Sequence, residues 1–573
     1  MKLVNIKNIA LLLLLSVSVV WSTEEKKLDY EKTYIERCQV CHGTIHQGDI
    51  GADLRPKILK MKDPYRLSSS LIDGVADVMP SYMTKFSKNE AINMVDWLMS
   101  WEDHSALVLN LPDVKRYWRE LSDRKKLATK YKNPTEVKSL DDITFLTERD
   151  ASLVTFIDSS NGKVLSRHRA GYAVHVTIQN KKYPRYAYSI SRSGRLTMFD
   201  LMAPGQPAVA YVRVGEESRG LAISNDGKYI IAGNYYPAGA VILDALTLKP
   251  LKVFPTNAVT DINGKKMSSR VTGLSSTPYG TYFAMVLANT GTVQIIDYSK
   301  SGFPIVSKVK GLGRNLHDAF LNQDEGENFG RYYMVAEQRK NGVIAVIDFK
   351  EKKLVKKIKI GEKSIPHTGK GASWYNKKLK KELHATADMG EGLVTIWDSS
   401  WSIVKQIKIP DAGLFVGTSK DTPYIWADVV YGKKETYNEM HLINKESLET
   451  ERIIKVGKLK GQLIDAKTKK VLQEWDATQH LPSEDKVYKS KVSKERLVPY
   501  STKLGRVAKR PVQPRLLHAE PANHGKWMMI SEWTTGRVGI YESKTGKFIK
   551  YIHNLVSPTY TFSVEYRKNI PGS

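Results

Sequence analysis

The sequence predicts a small all-α domain followed by an all-β propeller of eight blades. Two observations carry this. One C-x-x-C-H pentapeptide, Cys38-Gln39-Val40-Cys41-His42, stands near the start and uses both cysteines of the 573-residue chain. Further on, a short apolar strand ending in an acidic turn recurs eight times, mostly at intervals of about 40 to 55 residues, as propeller blades do. Composition agrees: 41% hydrophobic and 26% charged residues suit a chain with a real core. They exclude wholesale disorder, a collagen-like chain and a multi-span membrane protein.

The elements follow in order. Lys2 and Lys7 precede an apolar run, Ile9 to Val20, that ends at Trp21-Ser22-Thr23. A basic start, a short apolar stretch and a small residue at the cut describe an export signal peptide over residues 1–22. The run is about 12 residues against the ~20 of a membrane-spanning helix, so no stable membrane insertion is expected. Export, to a periplasm in a Gram-negative source, means an oxidising compartment where two cysteines are paired or covalently used.

Two thiols one helical turn apart add to the vinyl groups of a haem while the next histidine reaches its iron. Cys38, Cys41 and His42 therefore read as a covalent haem c site, with His42 as iron ligand. A second axial ligand is expected downstream. Met79-Pro80 precedes a helix start at Ser87-x-x-Glu90, a capping box, with Ile92, Val95, Leu98 and Met99 at helical spacing. Met79 is preferred over Met83 as that ligand. The cytochrome c domain is placed at 28–103 and a polar linker at 104–140, with a short helix around Val114 to Leu121.

The propeller is placed at 141–573. Its repeat reads Val154–Asp158, Leu196–Asp200, Val241–Asp244, Val293–Asp297, Ile344–Asp348, Val394–Asp398, His441–Asn444 and Val538–Glu542. Their alternating apolar residues mark half-buried strands. The last interval is about twice the others. The excess, 457–511, reads as a lysine-rich insertion rather than a ninth blade: a surface loop or a docking arm for an acidic partner.

Another feature recurs just before the inner strand of most blades. That position holds His175, Arg219, Arg270, His317, His367 and His518, with Arg515 beside the last. Inner strands line the axis, so these residues converge near the channel mouth. Histidine ligates iron or donates protons near neutral pH, and arginine grips carboxylates. With Tyr235, Tyr236 and Trp374 expected nearby, the ring suits a flat macrocycle bearing several carboxylates, together with an anionic substrate. Asp318 either orients an imidazole or caps a turn.

Lys plus Arg number 88 against 60 Asp plus Glu, a net charge of +28. The lysines are dispersed, and no helix-turn-helix, zinc-finger or RNA-binding signature is present, so no nucleic acid is expected. The balance suits an acidic protein donor instead.

A haem c domain followed by such a propeller resembles the cytochrome cd1 nitrite reductases, over nearly the whole chain after the signal. The anchors are Cys38-x-x-Cys41-His42, Gly171-Tyr172-Ala173-Val174-His175, Leu316-His317-Asp318 and Pro366-His367-x-Gly369. The resemblance implies haem d1 in the propeller, with His175 as its proximal iron ligand and His317 and His367 on the open side. It implies that Arg192, Arg219, Arg270 and Tyr235 hold the cofactor's carboxylates and line the substrate pocket. The implied reaction takes nitrite, one electron and two protons to nitric oxide and water, with His317 and His367 delivering protons. A homodimer and a soluble periplasmic electron donor, a small cytochrome c or a cupredoxin, are implied too. Other stretches are similar to a sister group that matures haem d1 by oxidising a dihydro precursor: Ser218-Arg219-Gly220, Gly233 to Pro237, Thr422-Pro423-Tyr424 and His518-x-Glu520. His518 is accordingly placed among the cofactor-binding residues. A non-catalytic haem-binding electron carrier is the third alternative.

Overall fold

The structure is a computed structural model. It describes residues 29–571 except 43–45, 47–51, 53, 60–63, 75–78, 80–81, 83–85, 102–107, 325, 340–341, 434, 479–512 and 568–569. The export signal, Met83 and most of the charged part of the insertion lie outside the described residues. No helix among the described residues is long and apolar enough to cross a membrane.

The N-terminal domain is all-α. Tyr30–Arg37 starts on Asp29, whose carboxylate accepts the Lys32 N–H, and leads into Gln39–His42. Pro56–Leu59, Pro64–Asp73 and Lys88–Ser100 follow. Ser87 and Glu90 form the expected reciprocal cap, at 3.2 and 2.7 Å, satisfying two N–H groups a helix start leaves open. The buried face of the last helix is Ala91, Met94, Val95 and Leu98, packed on Tyr34, Cys38, Leu59, Leu71 and Phe86. Ile92 and Met99, expected on that face, are only half-buried.

The segment after it is folded, not a plain polar linker. The helix is Leu111–Arg116, earlier than expected, because Asn110 caps it and Pro112 fits its first turn. Arg119–Glu120 then adds a fifth strand to a blade edge, and Arg124–Lys130 is helical.

Eight antiparallel sheets form the propeller. Their innermost strands are, for blades one to eight, Pro558–Ser563, Val174–Gln179, Gly220–Ile223, Val271–Thr277, Leu316–Leu321, Pro366–Asn376, Val416–Gly417 and Leu516–Ala522. The recurring strands of the sequence are the third of each blade, from Leu153–Asp158 to Arg537–Glu542. Their terminal acids build the turns that follow: the Ser160, Leu246, Ser299, Lys350 and Ser400 N–H groups donate to the carboxylates of Asp158, Asp244, Asp297, Asp348 and Asp398 at 2.7–3.0 Å. These strands are not half-buried, as the alternation suggested. All six residues of Leu153–Asp158 and of Thr292–Asp297 are buried, because each blade is sandwiched between two others. An apolar cluster fills each gap, for example Phe145, Phe156, Val174 and Phe199 between blades one and two, and Leu146, Ile157, Met529 and Val538 between eight and one.

The ring is closed by chain ends. Strand Pro558–Ser563 pairs with Ile143–Glu148, so the last strand completes the first blade. The first part of the insertion also departs from a loop: Lys460–Asp465 and Val471–Asp476 form a hairpin that widens blade seven to six strands.

Candidate functional site

The site lies where inner strands begin and second strands end. At the beginnings, ladder irregularities aim side chains at the axis. Register shifts fall at His175, between Val174 and Val176, and at Asp318, between His317 and Ala319. Others fall between His367 and Ala372, and at His518, between Leu517 and Ala519. A bulge inserts an unpaired residue and re-aims its side chain. The histidines therefore do not share one register: in blade five the bulged residue is Asp318, not His317.

Together these residues line one central cavity of about 300 Å³, with Arg149, Arg192, Arg219, Phe415, Tyr431 and Tyr560. The C-terminal turn reaches its far end, where Arg567 donates to Glu520 at 2.7 Å and the Ile570 carbonyl accepts from Lys181.

His175 donates from Nδ1 to the Arg219 carbonyl at 3.1 Å, which leaves its Nε2 as a lone pair. Burial, then Arg219 and Arg192, hold its pKa well below the ordinary value, so the imidazole is neutral. Blade six is four blades from blade two, so His367 starts the strand across the axis. There His317 Nδ1 lies 3.0 Å and His367 Nε2 3.5 Å from the same Asp318 oxygen. The two rings are 5.5 Å apart. Gly369 makes room: a Cβ there would lie 2.6 Å from Asp318 Oδ2 and 2.7 Å from His367 Cε1. Burial, against the pull of Asp318, lowers His367 to about 4. Burial raises Asp318, but His317 and His367 more than offset it, and the carboxyl sits well below its ordinary range.

The rim is cationic. Arg219 stacks on Tyr235 at 4.5 Å and Arg270 on the same ring at 5.1 Å. Glu217 faces Arg219 at 3.5 Å and Arg192 at 3.9 Å. Burial, with Arg149 and Arg219 beside it, pulls Arg192 down to about 10. The Nε atoms of Arg192 and Arg219 and the Tyr235 hydroxyl are buried without a hydrogen-bond partner, whereas Arg515 stacks on Tyr437 at 4.7 Å and is not among the residues lining the cavity. Buried polar groups are normally paired, so this set fits an anionic ligand with several acceptor oxygens. His518 packs edge-on against Phe415 and Tyr560 at 5.1 and 5.4 Å, and Tyr560 packs on His175 at 5.5 Å.

Trp374 is not at this mouth. It is buried in the core between blades six and seven, and its indole N–H donates to the Lys445 carbonyl at 3.0 Å. Arg149, Tyr431 and Tyr560 escaped the sequence reading. The first two follow second strands (Arg149 after Ile143–Glu148, Tyr431 shortly after Tyr424–Asp428), the position that also holds Arg192 and Tyr235. Applying the repeat there would have found them.

In the helical domain, Cys38 and Cys41 are free of a disulfide. His42 is buried and donates from Nδ1 to the Ala52 carbonyl at 2.7 Å, a bond that orients the ring of a metal-ligating histidine. Met79 is half-buried against the core that holds Tyr34, Cys38 and Met94.

A C-x-x-C-H helical domain joined to a propeller with a neutral histidine and a guanidinium rim defines a haem-binding class of protein. Residues 138–567 match the Cytochrome D1 heme domain family, and 26–98 match Cytochrome C oxidase, cbb3-type, subunit III. The chain belongs to the cytochrome d1 haem domain family, preceded by a cytochrome c domain. Nitrite reductase of Stutzerimonas stutzeri is 28% identical over 439 residues, covering 71% of this chain and 75% of that protein. Dihydro-heme d1 dehydrogenase of Pseudomonas aeruginosa is 27% identical over 427 residues, covering 73% and 80%. The solved structure of dihydro-heme d1 dehydrogenase NirN in complex with DHE matches with a TM-score of 0.71 at 22% identity, over 94% of this chain and 99% of that one. That likeness is one of fold.

Proposed function

We propose that the protein is a cytochrome cd1-type nitrite reductase, reducing nitrite by one electron to nitric oxide in the propeller, with electrons entering through haem c. The observation that carries this reading is the His317–Asp318–His367 cluster across the cavity from His175. Loss of one nitrite oxygen as water consumes two protons, and this cluster is where protons can be held beside a bound anion.

Cys38 and Cys41 would hold haem c covalently, with His42 and Met79 as its iron ligands. Arg192, Arg219, Arg270, Tyr235 and His518 would hold haem d1 through its carboxylates, and the Nε2 of His175 would face its iron. When bound, haem d1 supplies an iron that takes nitrite and passes it one electron. The protein does the rest. Asp318, ionised and 3.0 Å from Nδ1 of His317, stabilises a proton on that ring. His367, buried and neutral, offers a hydrogen bond without a competing charge. The arginine rim draws the anion in. Export to a periplasm, which rests on the signal-like residues 1–22, and a soluble one-electron donor and a homodimer, which rest on the resemblance, belong to the same proposal.

Oxidation of a dihydro-haem d1 precursor is the second reading. His518 favours it, an additional imidazole aimed into the cavity by its own bulge.

The deciding experiment exposes the reduced, doubly haem-loaded protein to nitrite without air and follows both haem spectra and nitric oxide release. Rapid multi-turnover nitric oxide formation is expected, with Asp318→Asn slower by about 100-fold at unchanged haem content. Oxidation of haem c without nitric oxide overturns the reductase reading.

A further inference from the structure

Among the described residues, the helical domain meets the propeller through a charged side chain. Arg55, 6% exposed, places its guanidinium over the ring of Tyr236 at 5.5 Å. Tyr236 sits in the turn between Tyr229–Asn234 and Gly239–Asp244, at the end of blade three that bears the cavity mouth. Its backbone is fixed by two hydrogen bonds exchanged with Glu216, at 2.5 and 3.1 Å. The domain tether passes the same corner: a Cβ on Gly239 would lie 2.9 Å from Leu109 Cδ2.

Both candidate iron-binding histidines are tied to this contact from their own sides. His42 donates to the carbonyl of Ala52, three residues before Arg55, and the Leu54 N–H donates to the His46 carbonyl at 2.8 Å. On the other side, Tyr235 precedes Tyr236 and lies under Arg219, whose carbonyl accepts from His175. The connection from one histidine to the other thus crosses between the domains at the Arg55–Tyr236 stack.

We propose that the Arg55–Tyr236 stack docks the helical domain on the propeller mouth and is the contact through which the two haem sites exchange an electron. In that step the iron at His42 loses one electron and the iron at His175 gains one; no bond breaks and no proton moves. The stack keeps the two histidines at a fixed separation, and tunnelling falls steeply with distance. The inference rests on the two-haem reading and is independent of which substrate the cavity takes.

The test uses the full chain with both haems and compares Arg55→Leu, Tyr236→Leu and Tyr236→Phe. Pulse radiolysis injects one electron into haem c and the decay of its reduced band is timed. Solution scattering on the same samples reports the radius of gyration. Arg55→Leu and Tyr236→Leu should each slow the transfer by about tenfold, the effect of losing one desolvated cation–π contact. Tyr236→Phe, which keeps the ring face, should transfer at the parent rate. Expansion of the two leucine variants with unchanged haem spectra supports the docking role, and slowed transfer supports the coupling role. Parent-like transfer in both leucine variants overturns the proposal, whether or not the particle expands. Nitrite turnover is not the readout, so failure of the reductase reading would leave this result standing.

Discussion

At the scale of single residues, the cavity separates two histidines by the company they keep. His317 has an ionised carboxylate at 3.0 Å, whereas His367 is more deeply buried and its contact with the same oxygen is longer, 3.5 Å. Burial wins for His367, which stays neutral down to about pH 4. That has a consequence for stability. The unfolded chain protonates this histidine near pH 6.5, the folded one only near 4. Between those values the unfolded state binds more protons, so stability falls as pH falls through the window and is unaffected above it. The contribution is up to about 3 kcal/mol, from the size of the shift. Thermal unfolding of the cofactor-free protein should show a midpoint dropping from pH 6.5 to 4, and His367→Gln should flatten part of that drop. An equal slope in the variant would mean that other groups govern it.

At the scale of elements, the blade repeat was legible because turn chemistry repeats: an Asp or Glu, or Asn444 in blade seven, ends each third strand and can accept the N–H groups of the turn it caps. The starts of the inner strands were legible too, since histidine and arginine recur there. What stayed hidden has physical reasons. A bulge adds one residue without altering composition, so the shift that makes Asp318 the bulged residue of blade five, beside His317, left no mark on the pattern. Tyr560 reaches His175 only because the last strand closes the first blade, a pairing of Tyr560 with Thr147 across the whole chain. That closure carries its own polar lock. Glu148, fully buried, accepts two hydrogen bonds from Arg167 at 2.8 and 2.6 Å and others from Thr155 and the Val556 N–H. The lock ties blade one to the segment leading into the closing strand. Glu148→Ala takes one acceptor from the partly exposed Arg167 and the acceptor of the Val556 N–H, and should cost about 1–3 kcal/mol. Denaturant unfolding checks it. A loss below about 1 kcal/mol, as for an exposed pair, would show that closure does not depend on this residue.

At the scale of the whole molecule, charge decides encounters more than folding. The net charge of +28 comes largely from dispersed lysines, among them Lys353, Lys356, Lys357 and Lys359 on the outer strand of blade five. The cavity mouth adds a guanidinium cluster to that field. A protein donor approaches from many ångströms away, so it feels the summed field before any contact forms, and an acidic donor is steered toward this surface. Salt removes the effect, because the screening length shrinks to about 8 Å at physiological ionic strength. Stopped-flow reduction of haem c by an acidic one-electron donor should therefore slow by about tenfold or more between ~10 and ~150 mM salt. A basic donor of similar potential should show the reverse slope, being repelled at low salt. Rates independent of salt for both donors would mean that the dispersed lysines form a neutralised surface and that recognition is left to contacts at short range.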